Sequence, residues 1–137
     1  MVNSLGEQWL SYARVCARMN QAVDRALAER HSLCASAYEI MDVMSHERGW
    51  MRAGEVSARS SRSQPQVSRL LTQIVNAGCA DRKPASGDGR GSEFRLTPAG
   101  RTLFREASGT VESVLAGIAE EDPDTRALMR PPLSRAG

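Results

Sequence analysis

Apolar residues recur at steps of three and four along four stretches of this chain and alternate in one short region between the last two, a pattern that predicts a mostly helical protein with a small β element. The best-marked stretch is Ser63 to Gly78, SQPQVSRLLTQIVNAG. Val67, Leu70, Leu71 and Ile74 stand at i, i+3, i+4 and i+7 and form one apolar stripe on a helix. Ser63 and Gln66 have the S-x-x-Q spacing of a capping box, in which the serine oxygen takes an orphan backbone N–H and the glutamine reaches back. Pro65 sits where a missing N–H costs nothing, and Asn76-Ala77-Gly78 ends the helix on a residue free to turn left-handed.

The opposite face of that helix carries Gln64, Pro65, Ser68, Arg69, Thr72, Gln73 and Asn76: short or forked hydrogen-bonding side chains, one guanidinium and no carboxylate. A merely solvated face mixes Glu with Lys. A face that enters the major groove of DNA excludes negative charge and needs Arg, Gln, Asn, Ser or Thr, which pair with base edges and phosphates.

Before it, Leu5 to about Arg30 reads as a long helix with Leu5, Trp9, Tyr12, Cys16, Met19, Val23 and Leu27 in one stripe. That stripe needs a partner, either the rest of the domain or its copy in a second chain. A second helix runs from about Cys34 or Ser36 to Glu47, with Ser36 and Glu39 in capping-box spacing and Tyr38, Ile40, Met41 and Met44 inward. Arg48-Gly49-Trp50 breaks it. Met51-Arg52 reads as a very short extended piece, Ala53 to Ser60 as a short helix with Val56 inward, and Ser61-Arg62 as the turn into the central helix. Short helix, tight turn and amphipathic helix make helix-turn-helix geometry.

Past Gly78 the period drops to two. Cys79 to Lys83 and Glu93 to Thr97 are strand candidates, with Phe94 and Leu96 inward. The Pro84 to Ser92 link has glycine at 87, 89 and 91 and reads as a flexible hairpin tip holding Asp88 and Arg90. A hairpin directly after a recognition-type helix is a wing, whose arginine can reach a minor groove or a phosphate. Thr97-Pro98 then opens a helix of about 22 residues, about 33 Å long, bearing Leu103, Phe104, Ala107, Val111, Val114, Leu115 and Ile118. It is longer than so small a core requires, so its far end is expected to project. Pro123 begins a last short helix with Leu128 and Met129, which Pro131-Pro132 stops.

Composition narrows the function. The 137 residues suffice for one domain that buries roughly two thirds of its unfolded surface. No apolar run approaches a membrane span and no basic-then-apolar leader opens the chain, so a cytoplasmic protein without membrane contact is expected. The net charge of +2 is unevenly spread: ten basic and four acidic residues lie between Arg52 and Arg105, and eight basic and twelve acidic residues lie outside. The middle of the chain therefore suits a polyanion. Three widely spaced cysteines argue against a disulfide framework. With two histidines and no H-x-x-x-H or C-x-x-C spacing, no metal is expected, and no other cofactor. There is no phosphate loop, nucleophile motif or spaced carboxylate pair, so the chain is not read as an enzyme. Two other functions fit the same fold: a winged helix reused for protein contact, and a redox-sensing regulator acting through Cys16, Cys34 or Cys79. Against the second, Cys16 lies on the expected buried stripe and Cys79 at a site that is normally apolar.

Val56-Ser57-Ala58-Arg59, Ser63 through Leu71, Asn76-Ala77-Gly78 leading to Asp81-Arg82, Asp88-Gly89-Arg90, and Leu96-Thr97-Pro98-Ala99-Gly100 together resemble the MarR family of winged helix-turn-helix transcriptional regulators. The resemblance covers roughly residues 33–107. It implies a mainly α fold with a small β-hairpin wing, dimerising through the N- and C-terminal helices. The implied organisation is a dimerisation helix at 1–32, the DNA-binding domain at 33–100, further dimerisation helices at 101–130 and a flexible tail at 131–137. The implied partners are double-stranded DNA, read as a palindromic operator by a homodimeric repressor, and a small-molecule effector that releases it. By position, Ser63, Gln64, Pro65, Ser68 and Arg69 would form the major-groove set and Arg90 the wing contact, braced by Asp88. Arg62, Gln66, Thr72, Gln73 and Lys83 complete the expected DNA-binding surface. Leu5, Trp9, Val111, Val114, Leu115, Ile118, Leu128 and Met129 are the expected dimer contacts. The chain departs from the family at Ser60-Ser61-Arg62, where a leucine, a glycine and another apolar residue are usual, so the first helix of the motif is expected to be less well anchored.

Overall fold

The computed structural model describes residues 4–85, 87 and 90–129; Asp88 of the expected wing and the expected tail at 131–137 lie outside them. The element order is α1 (Leu5–His31), α2 (Ala35–Ser45), β1 (Met51–Arg52), α3 (Ala53–Ala58), α4 (Gln64–Asn76), β2 (Ala80–Pro84), β3 (Ser92–Leu96), α5 (Pro98–Glu121) and α6 (Pro123–Leu128). This is a winged helix-turn-helix: a mainly helical chain with a three-stranded antiparallel sheet in the order β1-β3-β2.

Local chemistry sets most of these boundaries. Ser4 starts α1, its hydroxyl accepting the Glu7 N–H at 3.1 Å. The start of α2 differs from the expected Ser36–Glu39 box: Cys34 is the cap, its Sγ accepting the Ala37 N–H at 3.3 Å. Glu39 is drawn elsewhere, to the turn that precedes α4. Thr97 caps α5 with Pro98 in its first turn, as the sequence predicts, and its hydroxyl also donates to the Gly78 carbonyl at 2.8 Å.

The core lies where α1, α2, α3, α4, α5 and the sheet meet, on Leu27, Ile40, Met41, Met44, Met51, Val56, Val67 and Leu71, each no more than 2% exposed. Strand pairing follows alternation, with Met51 opposite Phe94, Arg82 opposite Phe94 and Ala80 opposite Leu96. Phe94 and Leu96 turn inward, as expected, and Arg95 outward.

α5 packs along α1, joined to its C-terminal end by His31 Nε2 and Thr110 Oγ1 at 2.7 Å, while Asp122 at the α5–α6 junction pairs with Arg18 in the middle of α1 at 2.8 Å. The N-terminal half of α1 is different. Leu5 is 83% exposed, Trp9 67% and Tyr12 52%, and Leu128 and Met129 beyond α5 are exposed as well. Val111, Val114, Leu115 and Ile118 are half-buried. Cys16, expected on a buried stripe, is exposed, because Val15 is the residue that turns inward there. The apolar stripe of α1 is thus covered by this chain only toward its C-terminal end. Among the described residues no helix is long and apolar enough to cross a membrane.

Candidate nucleic-acid interface

Burial of Val67, Leu71 and Ile74 fixes the roll of α4, and the roll leaves Gln64, Pro65, Ser68, Arg69, Thr72, Gln73 and Asn76 exposed together. The capping box predicted for its start is present. Ser63 Oγ accepts the Gln66 N–H at 3.4 Å and Gln66 Oε1 accepts the Ser63 N–H at 3.0 Å. The Gln66 oxygen, assigned to the DNA-facing set by sequence, is therefore engaged in the cap. At the other end Gly78, with φ +80, takes the left-handed turn that releases the chain into β2.

Arg62 is also engaged within the chain, its Nε donating to Glu39 Oε1 at 2.9 Å. Partial burial alone would raise the Glu39 pKa. Hydrogen bonds from the Ser61 backbone, the Ser61 hydroxyl and Arg62, with the Arg62 charge, outweigh it and hold the carboxyl below its ordinary range.

Between α3, α4 and the sheet lies an open cleft of about 590 Å³, lined on one side by Gln64, Ser68 and Thr72 and on the others by Arg52, Arg82 and Arg90. Glu55 also borders it and accepts the Arg52 N–H at 3.1 Å. The cleft thus joins the exposed face of α4 to the wing, with three guanidinium-bearing residues around it.

The sequence pattern singles out Lys83 and passes over Arg82; the structure places them on opposite faces of β2. Arg82 donates to Thr72 Oγ1 at 2.9 Å and lies 5.1 Å from the Phe94 ring centroid, so its guanidinium bridges the sheet and α4. Thr72 in turn donates to the Ser68 carbonyl at 3.1 Å. Lys83 lies 4.5 Å from the Trp50 ring centroid, which Arg95 approaches to 4.4 Å. Strand alternation carries the missing signal: with Ala80 buried toward α4, residue 82 shares its side and residue 83 does not.

Cys79 is buried, and burial pushes its thiol pKa up, whereas Cys16 and Cys34 are exposed. Among the described residues no group of three or more His, Cys, Asp or Glu is placed to hold a metal ion.

No family model matches the chain. A 56-residue segment is 39% identical to an uncharacterized HTH-type transcriptional regulator of Mycobacterium bovis; the match takes in 41% of this chain and about a third, 35%, of that relative's length. Among solved structures, a MarR-family transcriptional regulator from Rhodococcus sp. RHA1 superposes with a TM-score of 0.78 at 20% identity, over 93% of this chain and 91% of that one. CouR from Rhodococcus jostii RHA1, bound to p-coumaroyl-CoA, superposes with a TM-score of 0.71 at 21% identity, over 85% and 80%.

Proposed function

We propose that this chain, which has the winged helix-turn-helix fold of the MarR family, is a sequence-specific DNA-binding transcriptional regulator, a homodimeric repressor of a palindromic operator. The observation that carries the reading is the exposed face of α4, which has hydrogen-bonding side chains and Arg69 but no carboxylate, beside a cleft that Arg52, Arg82 and Arg90 surround. A helix of this kind fits the major groove, where side-chain forks pair with base edges. Ser63, Gln64, Pro65, Ser68, Arg69, Thr72 and Gln73 form the groove set. Arg90 and Arg82 supply positive charge for the backbone alongside, the former from the wing and the latter from the strand beneath it.

The dimer is supported by the uncovered apolar residues Leu5, Trp9, Leu128 and Met129. Val111, Val114, Leu115 and Ile118, half-buried on α5, extend that surface. Two copies would present two reading helices to half-sites about one helical turn apart. Because CouR carries p-coumaroyl-CoA, we extend the reading to release by a small-molecule effector. Loss of operator binding on titration with p-coumaroyl-CoA and free aromatic acids is its test.

Binding of the purified protein to DNA from its own upstream region, measured across a salt series, tests the main reading. A preferred near-palindrome and a steep loss of affinity with salt are the expected results. Arg69→Ala should abolish the preference for that site. Arg90→Ala should weaken binding to all sequences and flatten the salt slope by about 0.9 for each phosphate left without its cation. A protein with no DNA affinity at low salt would instead favour a winged helix used for protein contact.

A further inference from the structure

The link between the two helices of the reading motif, Ser60-Ser61-Arg62, has no large apolar side chain, yet it sets where α4 begins. A single carboxylate from α2 holds it. Glu39 Oε2 accepts the Ser61 N–H at 2.9 Å and the Ser61 hydroxyl at 2.7 Å, while Oε1 accepts Arg62 Nε at 2.9 Å. Two further bonds of the turn are local. Ser57 Oγ donates to the Arg62 carbonyl at 2.9 Å, and Ser60 Oγ accepts the Arg62 N–H at 3.2 Å. The Arg62–Glu39 pair is two-thirds shielded, with side chains 33% and 31% exposed, so it is less screened than a surface ion pair. The brace ends one residue before Ser63, the cap of α4.

The preceding residue of α2, Tyr38, stacks on Phe104 of α5 with ring centroids 5.2 Å apart, and its hydroxyl lies 3.0 Å from Ser108 Oγ. The same helix therefore grips α5 through Tyr38 and the turn before α4 through Glu39. Where a large apolar side chain is absent from the link, these polar bonds tie it to α2.

We infer that Glu39 is a positioning residue for the reading helix, and that Arg62 serves as its counter-ion rather than as a DNA contact. This rests on the DNA-binding reading above, and the two can be told apart. A positioning pair affects how well the correct sequence is distinguished. A phosphate contact affects how steeply binding falls with salt.

The experiment compares Glu39→Gln, Arg62→Ala and the double variant with wild type, measuring affinity for operator and for random DNA across a salt series. Each single variant should lose roughly tenfold in operator-over-random discrimination, about the effect of one charge-assisted hydrogen bond, with an unchanged salt slope. The double variant should be no worse than the worse single one, since both act on one brace. A slope lower by about 0.9 in Arg62→Ala alone would make Arg62 a phosphate contact and overturn the inference. Wild-type discrimination in both variants would overturn it as well. Amide exchange at Ser61 in the DNA-free protein is the independent readout: Glu39→Gln should speed it, and unchanged exchange refutes the brace. If wild type binds no DNA, the functional reading fails while exchange at Ser61 still decides whether the brace exists. Should Glu39→Gln not fold, Glu39→Asp, which keeps the charge on a shorter arm, takes its place with the same expected directions.

Discussion

A side chain on Gly100 would overlap the carbonyl oxygen of Cys79, because the first turn of α5 crosses the entry to β2 so closely that this carbonyl also accepts the Thr97 N–H at 3.0 Å. Backbone, rather than a yielding side chain, stands in the way. Gly100→Ala should therefore destabilise the fold by about 1–3 kcal/mol, seen as a lowered midpoint in thermal unfolding. An unchanged midpoint would mean that the two backbones can move apart at little cost. The glycine is legible as part of Leu-Thr-Pro-Ala-Gly, but its reason is not, since periodicity does not tell which backbones approach one another. The cysteines make a second residue-level test. A thiol reagent should label Cys34 in the folded protein and Cys79 only on unfolding, because Cys79 is buried and its pKa is raised. Equally fast labelling of Cys34 and Cys79 would contradict the burial of Cys79 beside the first turn of α5.

Among the elements, α4 is the most legible, because its stripe, its capping box and its terminal glycine are all local signals. The start of α2 is not. A cysteine is an uncommon cap, and Glu39, in capping distance of Ser36 by sequence, is taken by Ser61 and Arg62 from a distant part of the chain. Lys83 stands in for Arg82 in the sequence reading for a similar reason: summed charge marks a strand as basic, while only the alternation of that strand says which cation meets the helix. Ser63→Ala should cost about 1 kcal/mol by removing one half of the α4 cap, measurable by chemical denaturation. The Glu39 brace gives this region a pH dependence with a definite sign. A carboxylate whose pKa is lowered on folding stabilises the protein above the ordinary glutamate range and loses that contribution as the pH falls through the folded value. The wild-type midpoint should accordingly fall more steeply toward acid than that of Glu39→Gln. Parallel acid profiles for the two proteins would mean that the Glu39 charge contributes nothing to the acid limb.

For the whole molecule, the uncovered end of α1 dominates. Leu5, Trp9 and Tyr12 recur on one side of the helix and are 83%, 67% and 52% exposed, the apolar patch on which the proposed dimer rests. The stripe is legible from the sequence; its destination is not, because the same periodicity serves a core and a subunit seam equally well. Trp9→Glu should shift the protein toward monomer in sedimentation and weaken operator binding, while leaving its helical content intact. A variant with wild-type mass and wild-type affinity would place the seam elsewhere. The molecule holds two tryptophans, and they sit apart: Trp9 on the uncovered part of α1, and Trp50 between Lys83 and Arg95 on the sheet that bears the wing. Each is therefore a built-in optical label for a different event. With Trp9 replaced by phenylalanine, selectively excited tryptophan fluorescence reports the surroundings of Trp50 alone. With Trp50 replaced, it reports the surroundings of the exposed end of α1, so the proposed assembly and the proposed DNA engagement can be timed separately on otherwise unlabelled protein.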